Sequence, residues 1–117
     1  MKKGIAAAAL VAVLALAGCA KTVEGSVETV VKECKEFPTD ASVNLVITGR
    51  VDGDPYQSDD TDMTIVWLVD GDSTASCMFR DIDEDTLDDL HGRVTIEGKL
   101  DDVISDSLIY VDDCKLR

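Results

Sequence analysis

Aromatic residues are scarce: Phe37, Phe79, Tyr56, Tyr110 and Trp67 make up 4% of a 117-residue chain. So few rings leave the interior to aliphatic side chains. Basic residues are scarce as well, eleven lysines and arginines against 24 acids, for a formal charge of −13. Affinity for a phosphate backbone comes from lysine and arginine displacing counterions, so this balance argues against nucleic acid and against anionic lipid headgroups. His91 is a lone histidine and no CxxC pair occurs, which excludes a zinc site of ordinary type. Neither a GxSxG turn nor a glycine-rich phosphate loop is present, so nothing marks a hydrolase or a nucleotide site. Carboxylates are too abundant for one pair to stand out as a catalytic acid and base. The chain reads as non-enzymatic and without a cofactor. No run reaches the roughly 20 apolar residues of a membrane span.

What is there begins with an apolar stretch, Ile5 to Ala17, behind Lys2 and Lys3 and ending in Leu16-Ala17-Gly18-Cys19. A charged start, a short apolar core and small residues before a cysteine are the features of a lipoprotein leader. The pattern predicts cleavage after residue 18 and a diacylglycerol on the Cys19 thiol. The domain then hangs from the cell membrane or the outer membrane, on its extracytoplasmic face. Residues 19–22 serve as the tether, reaching at most roughly 15 Å when extended. Loss of residues 1–18 removes two lysines and no acid, which takes the formal charge from −13 to −15. Such a surface keeps a domain soluble and monomeric.

Val23, Val27, Val30, Val31, Cys34 and Phe37 recur at three- and four-residue intervals with Glu24, Glu28, Lys32, Glu33 and Lys35 between them. That spacing predicts an amphipathic helix over 23–37, ending before Pro38. Beyond Pro38 the period changes to two, with strands expected over 43–51, 63–69, 74–79, 94–100 and 107–116. Asp52-Gly53-Asp54-Pro55 and Asp70-Gly71-Asp72-Ser73 are turn clusters. Met63 to Val69 is apolar on both faces, so it reads as a central strand with Trp67 in the core. Tyr56, in an acidic loop, reads as the exposed ring. Asp81 to His91 reads as a short helix capped by Gly92, with His91 a structural cation at its C-terminal end. A short helix between the third and fourth of five strands is the order of a mainly β OB-fold barrel, here over residues 40–117.

Four cysteines then find places. With Cys19 given to lipid, Cys34, Cys77 and Cys114 remain. Thiols oxidise outside the cytoplasm, and one disulfide with one odd cysteine is the simplest arithmetic. Cys34 lies on the valine face of the helix, as a small buried apolar residue. Cys77 and Cys114 fall in the third and fifth strands, which a closed barrel brings together, so a Cys77–Cys114 bridge is expected. Its rival is Cys34 paired with either strand cysteine.

The stretch Ala75-Ser76-Cys77-Met78-Phe79, then Leu87, Leu90, Gly92 and Val94-Thr95-Ile96-Glu97-Gly98, then Leu108-Ile109-Tyr110-Val111-Asp112-Asp113-Cys114, resembles the tRNA-anti-like group of bacterial OB-fold proteins. Val46-Ile47-Thr48-Gly49-Arg50-Val51 fits that group's opening strand, and the likeness covers roughly residues 40–116. The resemblance implies a small exported protein or lipoprotein. It implies no particular activity, because the group's name records likeness to anticodon-binding domains. A second resemblance is to a bacterial OB group of periplasmic proteins that bind small cationic or stress-related ligands.

Two acidic clusters invite a cation reading. Asp81-x-Asp83-x-Asp85 fails as an EF-hand, since Thr86 stands where glycine is needed and Gly92 where the bidentate glutamate belongs. Asp52, Asp54, Asp59, Asp60 and Asp62 remain as an irregular, weak cation-binding loop. The expectation overall is a lipid-anchored binding module for a protein or small-molecule partner in the cell envelope. A nucleic-acid-binding OB domain and a weak cation-binding envelope protein are the alternatives.

Overall fold

Along 43–49, 63–69 and 73–79 buried and less buried residues alternate, and segments that bury every second side chain fold as a sheet with one face closed. The computed structural model describes residues 12–15, 21–38, 42–58 and 62–117. Its strands are β1 (Ala12–Ala15), β2 (Lys21–Ser26), β3 (Val43–Val51), β4 (Tyr56–Gln57), β5 (Met63–Asp70), β6 (Ser73–Arg80), β7 (Arg93–Ser105) and β8 (Leu108–Leu116). Its helices are α1 (Val27–Cys34) and α2 (Glu84–Asp89).

The molecule is mainly β. The strands join in the order β1-β2-β3-β7-β8-β6-β5-β4, and β3 also meets β5 through Arg50–Val69 and Val51–Leu68. That second pairing bends β3, β7, β8, β6 and β5 round into a partial ring. β6 and β8 run parallel, as do β2 and β3, and the other pairs are antiparallel. Leu45, Ile47, Val66, Leu68, Ala75, Cys77, Ile96, Ile109 and Val111 fill the inside of the ring, all buried. Each fully buried Val, Leu or Ile contributes about 1.5–3 kcal/mol.

The helix is shorter than its apolar spacing suggests. Residues 23–26, expected within the first turns of a helix, belong to β2, as do Lys21 and Thr22 of the expected tether. The reason is local. Ser26 is extended (φ −68°, ψ 162°) and its hydroxyl oxygen accepts the Thr29 N–H at 3.2 Å, which fixes it as the N-cap. Upstream of that cap, Val23 pairs with Leu45 and is buried as a strand residue. β1 in turn pairs with β2, Val13 opposite Val23. It falls in the segment read as a leader, and Cys19 lies outside the described residues.

The two helices occupy opposite ends of the ring. α1 buries Val27, Val30, Val31 and Cys34 against the sheet near the β5–β6 and β7–β8 turns, where Lys35 Nζ stands 3.6 Å from Asp106. Gly49 permits the approach, since a Cβ there would lie 2.5 Å from Val27 Cγ2. α2 and the following Leu90, which is buried, sit where β6 ends and β7 begins.

Candidate functional site

Strand register sets the outer face. Opposed residues on neighbouring strands project to the same side, so each pairing adds a column to a row of side chains. On β5 the inward set is Thr64, Val66 and Leu68, and the outward set is Met63, Ile65, Trp67 and Val69, each half-buried. Trp67 opposes Ser76 of β6, Ser76 opposes Tyr110 of β8, and Tyr110 opposes Asp102 of β7. A neighbouring row runs Tyr56, Ile65, Met78, and another Val69, Thr74, Leu108. Three of the five aromatic rings and five aliphatic or thioether side chains thus share one continuous face. Tyr56 is 55% exposed and Tyr110 is 41% exposed, and Ile104, in the adjoining β7 bulge, is 44% exposed.

Trp67 corrects the sequence reading. Expected in the core, it lies half-buried on the outer face, while Thr64 takes an inward position with 2% exposure. Both faces of β5 carry apolar residues, so composition left the phase undecided. The turns on either side and the register with β6 set it. Counting in twos from Val66 and Leu68 would have put Thr64 inside and Trp67 outside.

Charge rings the face. The Asp52 N–H donates to the Trp67 carbonyl at 2.8 Å, placing one acid beside the indole strand. Asp102 closes the same row at its far end. Arg80, at one corner, donates from Nη2 to both Asp112 carboxylate oxygens at 3.2 and 3.1 Å. Partial burial pushes the Asp112 carboxyl up, but the Arg80 hydrogen bonds and charge, with the Asp113 N–H, hold it below its ordinary range. Arg50, exposed and opposite Val69, is the cation at another margin.

The structure brings Cys77 and Cys114 together. Cys77 pairs with Val111, whose carbonyl oxygen accepts from the Cys114 thiol at 3.5 Å, and the neighbouring Cys114 thiol together with burial raises the Cys77 pKa well above the ordinary thiol value. Cys34 stands apart on α1, its thiol pushed up to about 12 by burial and the neighbouring Glu33 charge. All three are buried free thiols here.

The acidic loop is less informative. Asp52, Asp54 and Asp62 are exposed, and Asp59 and Asp60 lie outside the described residues. Among the described residues no three metal-ligating side chains converge. Asp62, Asp81 and Asp83 border a cleft of about 410 Å³ with Gln57 and Ser58. Asp83 is committed elsewhere, as the N-cap of α2: its Oδ1 accepts the Thr86 N–H at 2.7 Å, and that bond lowers its pKa.

Neither a protein-family model nor a curated protein sequence matches the chain. Among solved structures it is similar to a Leishmania major Friedlin protein assigned as an aspartyl-tRNA synthetase, at 11% identity and a TM-score of 0.43, over 80% of this chain and 20% of that one. It is also similar to the apo form of TiaS, a tRNA agmatidine synthetase, at 13% identity and a TM-score of 0.38, over 75% of this chain and 20% of that one. The chain spans about a fifth of the length of each of these two structures. Alignments this partial carry no function across.

Proposed function

We propose that this chain is an extracytoplasmic lipoprotein whose β domain is an OB-fold barrel of the tRNA-anti-like type, acting as a non-enzymatic docking module for an envelope protein. The observation that carries the reading is the open aromatic and aliphatic face of β5, β6 and β8. In OB folds the second and third strands, flanked by the first and last hairpin loops, are the ligand-binding surface. Here those strands are β5 and β6, and Tyr56 and Tyr110 stand on the two flanks. An open face of this kind suits a segment of protein better than a small molecule, which favours an enclosed pocket.

Charge selects the occupant. A domain at −15 repels a second copy of itself, nucleic acid and anionic lipid alike. With Asp52 and Asp102 at the ends of the Trp67 row, the complementary partner is a polypeptide segment with apolar residues on one side and lysine or arginine flanking them. The rings alone would suit stacked bases, but Arg80 is engaged by Asp112 and few other cations border the face. Support for the anchor is the Leu16-Ala17-Gly18-Cys19 sequence behind its apolar core.

Photo-crosslinking in intact cells tests the docking role. A crosslinking residue at position 67 or 110 should capture one envelope protein through a basic, apolar segment, and the same residue at Val46, on the outer side of β3, should not. Added salt should weaken the capture, and the pair Trp67→Ser with Tyr110→Ser should abolish it while the circular dichroism spectrum is kept. Equal capture from both faces overturns the reading.

A further inference from the structure

We propose that Cys77 and Cys114 form a disulfide in the mature protein, bridging β6 to β8 inside the ring, while Cys34 stays a thiol. The inference rests on the extracytoplasmic reading above, because only there does a suitable oxidant exist. Its structural basis is independent of that reading.

β6 and β8 run parallel with Cys77 opposite Val111, so plain strand geometry would put residue 114 well past Cys77 along β8. A local irregularity cancels the offset. Asp113 adopts a left-handed conformation, φ +54°, held by its N–H donating to Asp112 Oδ1 at 2.7 Å. Asp112 and Asp113 are thereby turned, and Cys114 folds inward until its Sγ sits 3.5 Å from the Val111 carbonyl oxygen. That residue is the partner of Cys77, so the two thiols meet across one strand pair. β7 supplies the space. Gly98 faces the site, and a Cβ there would stand 3.0 Å from Cys114 Sγ and 2.6 Å from Val111 Cγ1. The Cys77 and Cys114 thiols donate to the Ala75 and Val111 carbonyl oxygens at 3.7 and 3.5 Å, and among the described residues no three metal-ligating side chains converge there. Cys34, by contrast, lies on α1 beside Leu100 and Val103, at the far turn of the β7–β8 hairpin.

Bond formation follows thiol–disulfide exchange with a protein disulfide of the envelope. One cysteine, as thiolate, attacks the oxidant to give a mixed disulfide and release one oxidant thiol. The second cysteine attacks the mixed disulfide, the Cys77–Cys114 bond forms, and the oxidant leaves as a dithiol. Two protons and two electrons pass from the cysteines to the oxidant. Cys77 has no exposure and Cys114 has 6%, so exchange slows once the ring has closed.

The test uses the full mature protein extracted in detergent from membranes, denatured under alkylating conditions without reductant, and digested with trypsin. The expected product joins the peptides 51–80 and 100–115, two hydrogens lighter than their sum, with Cys34 alkylated in 33–35. Free alkylated Cys77 and Cys114, or a bridge to Cys34, overturns the proposal. A second arm locates a failure. The same chain, reduced, unfolded and refolded in a glutathione redox buffer, should regain the 77–114 link and lose it with Cys114→Ser. If the link forms in the buffer but not in cells, the compartment is wrong. If it forms in neither, the pairing itself is wrong.

Discussion

At the scale of single residues, the inner and outer sets of β5 make opposite predictions. Leu68→Ala opens a cavity inside the ring and should cost about 2–5 kcal/mol in denaturant unfolding. Tyr110→Ser, on the outer face, should cost no more than about 1 kcal/mol. A Tyr110 variant as damaging as the Leu68 one would mean that the face is covered within the molecule. The Arg80–Asp112 pair adds a pH-dependent term. Because the folded Asp112 pKa is depressed, its stabilisation is present above the ordinary carboxylate pKa and is lost as pH falls through the folded value. Both side chains are solvent-accessible, so screening by water keeps the pair's contribution small. The stability gap between the wild type and Arg80→Ala should thus be small at pH 7 and close as pH falls below the ordinary carboxylate range. A gap that widens in acid would contradict the assignment.

At the scale of elements, close approach and capping set the costs. Gly98→Ala places a methyl group 2.9 Å from the Asp112 carbonyl oxygen, on backbone that cannot step aside. It should destabilise by about 1–3 kcal/mol, more than Ser26→Ala, where a lost N-cap costs about 1 kcal/mol. Thermal melts of the two variants rank them. Much of this layer was legible in the sequence. Strand β3 matches the expected 43–51, and β5, β6 and β8 fall within a residue or so of their alternation. Strand β7 departs from its expected 94–100, running from Arg93 to Ser105. Two further things were not legible. The valines of 23–31 satisfy a helical period and a strand period over their first few residues, and Ser26 decides between them through a hydrogen bond that spacing cannot reveal. The phase of β5 escaped for a similar reason, since a threonine went inward and a tryptophan outward. The outer face, and with it the candidate site, therefore had to come from register.

At the scale of the whole molecule, charge governs what the domain tolerates. Binding to mixed-sequence oligonucleotides should be undetectable at physiological salt. Submicromolar affinity that falls steeply with added salt would replace the protein-docking reading by a nucleic-acid one. Millimolar calcium should raise the melting temperature only slightly, by screening repulsion among the acids. A saturable rise of many degrees that magnesium does not reproduce would place an ion among Asp52, Asp54, Asp59, Asp60 and Asp62. The alternation along β5 has a further consequence. Thr64, Val66 and Leu68 answer to folding alone, whereas Met63, Ile65, Trp67 and Val69 answer to whatever lands on the outside. Two alphabets are interleaved in one strand and can be rewritten separately. Point changes in the second set retarget the surface while the fold persists, but a single inserted residue exchanges the two sets and forfeits both.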